Sequence, residues 1–206
     1  MNSVDAEKIG IILLAAGLSS RMGEPKQLLK VGGEPLVRML AKQSLESLAD
    51  HIIVVIGHEA DEVKKAIENL PVEIIFNSHP ENGMGSSIKC GISFLKENDF
   101  SAGLIITCDQ PLLTSSHLNK MIDAYHERKN PIIASRYSNS IGVPALFDKK
   151  LFEQLLTIDD QQGAKKTILE RKGDVCEIEF SEGSIDLDTP EDYRSYLQLI
   201  DKKKNL

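Results

Sequence analysis

The stretch Ile9-Gly10-Ile11-Ile12-Leu13-Leu14-Ala15-Ala16-Gly17-Leu18-Ser19-Ser20-Arg21-Met22-Gly23-Glu24-Pro25-Lys26 begins as an apolar run and turns, after Ala16, abruptly small, flexible and basic. A run as short as Ile9–Leu14, rich in isoleucine and leucine and bounded by a glycine turn, reads as a buried strand. The loop after it has the composition of a segment that lets backbone approach a ligand. Gly17 and Gly23 permit φ > 0, so successive N–H groups can face one concavity and hold phosphate oxygens, while Arg21 and Lys26 add positive charge. The spacing matches neither the GxGxxG dinucleotide fingerprint nor the GxxxxGK phosphate loop, so neither of those mechanisms applies.

Outward from this stretch the chain alternates short β-rich runs with amphipathic segments. Ile52–Ile56, Val72–Phe76, Leu104–Thr107 and Ile132–Ala134 read as further buried strands, and Leu36–Leu48, Glu59–Leu70, Ser86–Lys96 and Thr114–Arg128 as helices. Parallel neighbours need a crossover that hides the sheet, so the alternation predicts an α/β fold with a mostly parallel sheet covered on both faces. From Ser138 the pattern loosens into an apolar piece (Val143–Phe147), helices near Phe152–Leu156 and Ala164–Lys172, a strand at Val175–Phe180 and a final helix from Pro190. No linker separates this part, so residues 1–206 read as one domain, and a boundary between 137 and 138 would divide labour rather than folding units. The charged tail Asp201–Leu206 is expected to fray.

Composition excludes several classes. The 206 residues are 41 % apolar, enough for a substantial core, and the net charge of −7 with no basic stripe argues against nucleic acid as a partner. Three widely spaced cysteines without a CxxC pair suggest neither a zinc site nor a disulfide framework and suit a reduced cytoplasm. The apolar run Ile9–Ala16 is far shorter than the ~20 residues a membrane span needs, so neither a membrane nor a secretory route is expected.

In parallel sheets ligands bind beyond the carboxyl ends of the strands, which directs attention to the loops after Leu14, Ile56, Phe76, Thr107 and Ile185. Leu104–Thr107 runs into Cys108-Asp109-Gln110-Pro111, and an acid at such a rim can hold magnesium, a hard cation that takes one or two carboxylates, waters and substrate phosphates; the same acid could instead cap the helix near Thr114. Near the C-terminus Ser184-Ile185-Asp186-Leu187-Asp188-Thr189-Pro190 offers two more acids before a helix start. Gly83-Met84-Gly85-Ser86-Ser87 opens a helix with free N–H groups and hydroxyls that suit a base or sugar, or simply cap the helix. His58 and His79 are assigned no catalytic role.

The segment Leu14–Lys26 resembles the signature L-A-A-G-x-S-x-R-M-G-x-x-K of nucleotidyltransferases built on the GT-A-like Rossmann fold. The resemblance implies a Rossmann-like three-layer sandwich. It implies further that the loop wraps a triphosphate, with Arg21 and Lys26 as catalytic cations, Gly17 and Ser19 at the nucleotide, and Ala15 and Ala16 near the base. Asp109 corresponds to the metal-holding aspartate of the C/G-D-x-P motif. Ile185–Asp192 is similar to the D-I-D-T-P-E-D ending of molybdenum-cofactor cytidylyltransferases, which makes Asp188 the second ligand to Mg2+, with Asp186 as the alternative. The G-M-G-x-S likeness places Gly83, Gly85, Ser86 and Ser87 at the nucleotide. Likeness to G-x-P-x-x-F and G-D-x-G-A-R places Gly142, Pro144, Gly163 and Lys165 at the acceptor, although the second motif lacks its leading Gly-Asp pair and has Lys165 where arginine is usual.

Over most of its length, Ile11 to Tyr193, the chain is similar to the CTP:molybdopterin cytidylyltransferases of the MobA-like group, including purine-catabolism members that serve xanthine dehydrogenase. The resemblance implies transfer of CMP from CTP to molybdopterin with release of pyrophosphate, and a xanthine-dehydrogenase-type molybdoenzyme as a partner. Guanylyl transfer, transfer to a sugar or polyol phosphate, and a non-catalytic delivery protein for a molybdoenzyme are the alternatives. Ala16 weighs against GTP, because guanylyl members resemble L-A-G-G, where the absent Cβ leaves room for a purine.

Overall fold

The computed structural model describes residues 7–204 apart from 20 and 139. In chain order these residues form β1 (Ile9–Ala15), a small hairpin of β2 (Lys30–Val31) and β3 (Glu34–Pro35), α1 (Leu36–Leu45), β4 (His51–Ile56), α2 (Ala60–Ala66), β5 (Glu73–Phe76), α3 (Met84–Glu97), β6 (Ala102–Thr107), α4 (Ser115–Arg128), β7 (Ile132–Tyr137), β8 (Ser140–Asp148), α5 (Phe152–Leu156), α6 (Lys165–Glu170), β9 (Val175–Glu179) and α7 (Pro190–Lys204). The main sheet has seven strands in the order β5-β4-β1-β6-β8-β7-β9.

Every residue of β1 is buried, because β1 pairs in parallel with β4 on one side and β6 on the other and is covered on both faces. Alternation along the strand then divides the core. Ile9, Ile11, Leu13 and Ala15 pack with residues of α1, α2 and α4, while Ile12, Leu14 and Ala16 pack with α3, α5 and α6. Burying each of these isoleucine and leucine side chains contributes about 1.5–3 kcal/mol, so the strand is fixed by its two faces rather than by local propensity.

The expected α/β three-layer architecture is present, with one strand reversed. β8 runs antiparallel to both β6 and β7, whereas β7 is parallel to β9. The carboxyl ends of the other six strands therefore share one rim, and the amino end of β8, with Gly142 and Pro144, lies at that same rim. Several helices are shorter than their periodicity suggests: α1 stops at Leu45 rather than Leu48, and α2 covers Ala60–Ala66 rather than Glu59–Leu70. Glu59 itself sits in the left-handed region before α2, with φ 53°. Helix α4 begins where its cap requires, since the Thr114 hydroxyl accepts from the His117 N–H. This also removes helix capping as the task of Asp109. The tail departs from expectation: α7 continues through Lys204, so Asp201–Lys204 are helical, and the last two residues lie outside the described residues. No helix of the described residues is long and apolar enough to cross a membrane.

Candidate active site

Beyond β1 the chain loops from Ala16 to Lys26 before a short 3-10 turn, and one buried side chain organises that loop. Gln27 is only 2 % exposed; its Nε2 donates to the carbonyls of Ala15 (3.1 Å) and Gly17 (2.7 Å). The Ser19 hydroxyl donates to Gln27 Oε1 and accepts from the Lys26 N–H at 3.0 Å. Three expectations change here. Gly17 does not use positive φ; the left-handed residues of the loop, among those described, are Ser19 (φ 52°) and Gly23 (φ 79°). The side chain of Ala15 packs into the core on the α1 face, so only Ala16 of the pair borders the cavity described below. Ser19 ties the loop to Lys26 and Gln27 through its hydroxyl, a structural task that its motif position did not suggest. Gln27 was missed altogether.

The loop brings its cations to two acids from distant parts of the chain. Lys26 Nζ lies 3.1 Å from Asp109 Oδ2 and 3.1 Å from Asp188 Oδ1, and Arg21 reaches Asp188 Oδ2 at 2.9 Å. Asp109 stands just past the end of β6. Asp188 is brought to it because the intervening Leu187 is fully buried and donates its N–H to the Asp109 carbonyl at 2.8 Å. Beyond it, Thr189 and Asp192 cap α7 reciprocally, Thr189 N–H donating to the Asp192 carboxylate and Asp192 N–H to the Thr189 hydroxyl. Burial works against a charged Lys26, but Asp109 and Asp188 outweigh it and hold the ammonium above its ordinary pKa. Asp186 makes no ion pair with these cations; burial, then the charges of Asp109 and Asp188, push its carboxyl up to about 6.

The donor set fits a magnesium ion. Asp109 and Asp188 both touch one ammonium, so their oxygens converge on a site of the size a small cation occupies. The described residues contain no cluster of three metal-binding side chains. Two carboxylates completed by phosphate and water are what a hard, strongly hydrated divalent ion accepts.

Beside this cluster lies a cavity of about 340 Å3 lined on its different sides by Ala16, Gly17, Lys26, Ser87, Asp109 and Gln161. Of the helix-start residues, Gly83, Met84 and Ser87 border it. Ser86 is committed inside the loop, its hydroxyl donating to the Gly83 carbonyl (2.7 Å) and accepting from Asn77 (2.8 Å). The Gly85 N–H is likewise used, donating to the Asp160 carbonyl at 2.8 Å. The glycines serve a close approach: a Cβ at Gly83 would stand 2.5 Å from the Asp160 carbonyl oxygen, and one at Gly85 would collide with that of Asp159. Gly83 and Gly85 thus let the Asp159–Gln162 segment dock backbone to backbone on the start of α3, and Lys89 and Asn82 clasp the Asp160 carboxylate. Two motifs that looked separate in the sequence form one wall.

Lys165 lines a second, more open cavity of about 560 Å3 together with Arg136, Ser140, Ile141 and Lys172, and donates to the Ser140 hydroxyl at 2.7 Å. The other three acceptor-side residues do not line it. Gly142 is packed under the Tyr137 hydroxyl, Gly163 lies against the Met84 sulfur, and Pro144 is buried with its carbonyl accepting from Ser135. No histidine enters the cation–carboxylate cluster among the described residues. His79 is exposed, and His117 is a core residue stacked on Phe180 with Nε2 on the Ser135 hydroxyl.

The sequence matches the MobA-like NTP transferase domain over residues 11–175, four fifths of the chain, and the protein belongs to that nucleotidyltransferase family. It is 27 % identical over 192 residues to the purine catabolism protein PucB of Bacillus subtilis, a match that covers 88 % of this chain and 92 % of PucB. The bifunctional protein GlmU of Rhodococcus jostii is 29 % identical over 128 residues, 59 % of this chain, and that match spans 26 % of the relative's length. Among solved structures, Rv0371c of Mycobacterium tuberculosis superposes with a TM-score of 0.83 at 25 % identity, over 94 % of this chain and 98 % of its own. Rv0371c has also been solved in complex with manganese.

Proposed function

We propose that this protein transfers CMP from CTP to the terminal phosphate of molybdopterin, with magnesium, and that the dinucleotide product is passed to a xanthine-dehydrogenase-type molybdoenzyme in the cytoplasm. One observation carries the transferase reading: Lys26 stands between Asp109 and Asp188 at the lip of a cavity that Ala16, Gly17 and Ser87 also border. The near full-length likeness to a purine catabolism protein supports the choice of acceptor. The Cβ of Ala16, narrowing the cavity at the end of β1, supports a pyrimidine nucleotide.

A phosphate monoester has its second pKa near ~6 and is therefore already a dianion at neutral pH. Its oxygen can attack the α-phosphorus directly, forming a new P–O bond as the bond to the bridging oxygen breaks and pyrophosphate leaves with that electron pair. No proton must be removed, which accords with a site built of lysine, arginine and aspartates rather than around a histidine base. What the chain must do is hold and neutralise. Lys26, kept protonated by its two acids, and Arg21 are the groups placed to stabilise charge on the departing pyrophosphate. Magnesium held by Asp109 and Asp188 would supply Lewis-acid stabilisation of the phosphate oxygens. Lys165 and the second cavity are assigned to the acceptor.

Pyrophosphate release measured with each of four NTPs, molybdopterin and magnesium tests the assignment. CTP is expected to be used fastest, and omission of molybdopterin or magnesium to stop the reaction. Preference for GTP, or transfer only to a sugar or polyol phosphate, would replace the substrates. Tight cofactor binding with no pyrophosphate from any NTP would make the protein a delivery partner instead.

A further inference from the structure

We infer that Gln27 is the positioning residue of the nucleotide loop, its carboxamide turning two peptide units so that the amides of Ala16 and Leu18 face the phosphates of a bound nucleoside triphosphate. The inference rests on the nucleotide reading of the 340 Å3 cavity.

A buried carboxamide is costly unless its donors and acceptor are used. Gln27 spends all of its bonds on one loop: Nε2 on the carbonyls of Ala15 and Gly17, and Oε1 on the hydroxyl of Ser19. In a trans peptide the C=O and the following N–H point in opposite directions. Drawing the Ala15 and Gly17 carbonyls toward Gln27 therefore turns the N–H groups of Ala16 and Leu18 away from it. Ala16, Gly17 and Leu18 line the cavity, with Gln27 itself at its edge and Cys108 and Asp109 across it, and neither amide donates to another backbone carbonyl among the described residues. Two aligned, uncommitted amides beside Lys26 form an anion-binding concavity.

The same side chain links this concavity to the catalytic lysine. Gln27 follows Lys26 directly, and the Ser19 hydroxyl that donates to Gln27 also accepts the Lys26 N–H at 3.0 Å. The direction of the amides and the placing of the ammonium thus depend on one buried group. A glutamine that merely filled space would have no such tie to ligand binding.

The test is a titration of the whole protein followed by the 1H–15N resonances of the Ala16 and Leu18 amides, with magnesium–CTP and, separately, with inorganic tripolyphosphate. Both resonances are expected to move with both ligands. In a Gln27→Met variant, CTP should bind weaker by about tenfold or more, with KM for molybdopterin changed by less than about twofold. If CTP shifts Met84 and Ser87 but leaves Ala16 and Leu18 unmoved, or if Gln27→Met binds CTP as wild type does, the role of Gln27 is refuted while the nucleotide site stands. If CTP shifts no cavity residue, it is the nucleotide reading that falls. Should Gln27→Met fail to fold, the wild-type titration decides.

Discussion

Lys26 is held by two opposed effects: burial disfavours its charge, and Asp109 and Asp188 restore it. Removing the ammonium leaves two converging carboxylates whose remaining ion-pair partner among the described residues is the exposed Arg21, and under the proposed mechanism it takes away the charge that stabilises the leaving group. Lys26→Ala should lower kcat for pyrophosphate release by about 10²–10³ without unfolding the chain, and near-normal turnover with the same melting profile would remove Lys26 from the chemistry. The glycine-rich loop with its two cations after β1 and the acid just past β6 stood out in the sequence, and the structure brings Arg21, Lys26 and Asp109 into one cluster with Asp188. Gln27 was not, because its direction depends on a left-handed residue, Ser19, eight positions earlier, and local pattern does not encode which way a glutamine turns. Ala15 and Ala16 look alike in sequence, and only the period-two geometry of β1 sends one into the core and the other to the cavity.

Between elements, the sharpest dependence is the docking of residues 159–162 on the start of α3. A Cβ at Gly85 would meet the carbonyl of Asp159 and, at 2.9 Å, that of Gln162, and neither is a flexible side chain that could give way. Gly85→Ala should therefore cost about 1–3 kcal/mol and lower Tm by roughly 2–4 °C for each kcal/mol; an unchanged melting curve would show that the segment can move aside. The sequence showed glycines at a helix start, where nucleotide contact and close packing make the same demand for a missing side chain, so it could not tell them apart. A second dependence joins α4, β7 and the segment after β9 through His117. Burial, then the charge of Lys120, lower its pKa to about 4, against ~6.5 in an unfolded chain. The unfolded state then binds more protons between those values, so the stabilisation is complete above about pH 6.5 and is lost as pH falls toward 4, by about 3 kcal/mol. Urea midpoints between pH 7 and 4.5 should fall less steeply for His117→Phe than for wild type, and equal slopes would contradict this account.

At the scale of the molecule, the proposed division at residue 137 separates tasks without separating folding units. β8 lies between β6 and β7 and is hydrogen-bonded to both, and β9 pairs with β7, so the later third of the chain completes a sheet that the earlier part begins. Chemical unfolding followed by circular dichroism and by tyrosine fluorescence should give coincident single transitions; two separated transitions would show independent units. The parallel half of the sheet was readable from strand–helix alternation, but the reversed β8 was not, because the period of two is the same for a strand running in either direction and the reversal follows from where the chain turns between Tyr137 and Ser140. That topology sets Asp109 and Asp188 side by side across nearly eighty residues, and the whole functional account depends on their sharing one magnesium–nucleotide with Lys26. The most direct measurement is the affinity of CTP, by calorimetry with and without magnesium, for wild type and for Asp109→Asn. Magnesium should tighten CTP binding to wild type by about tenfold or more and have little effect on the variant; equal magnesium dependence in both would contradict a metal held at Asp109.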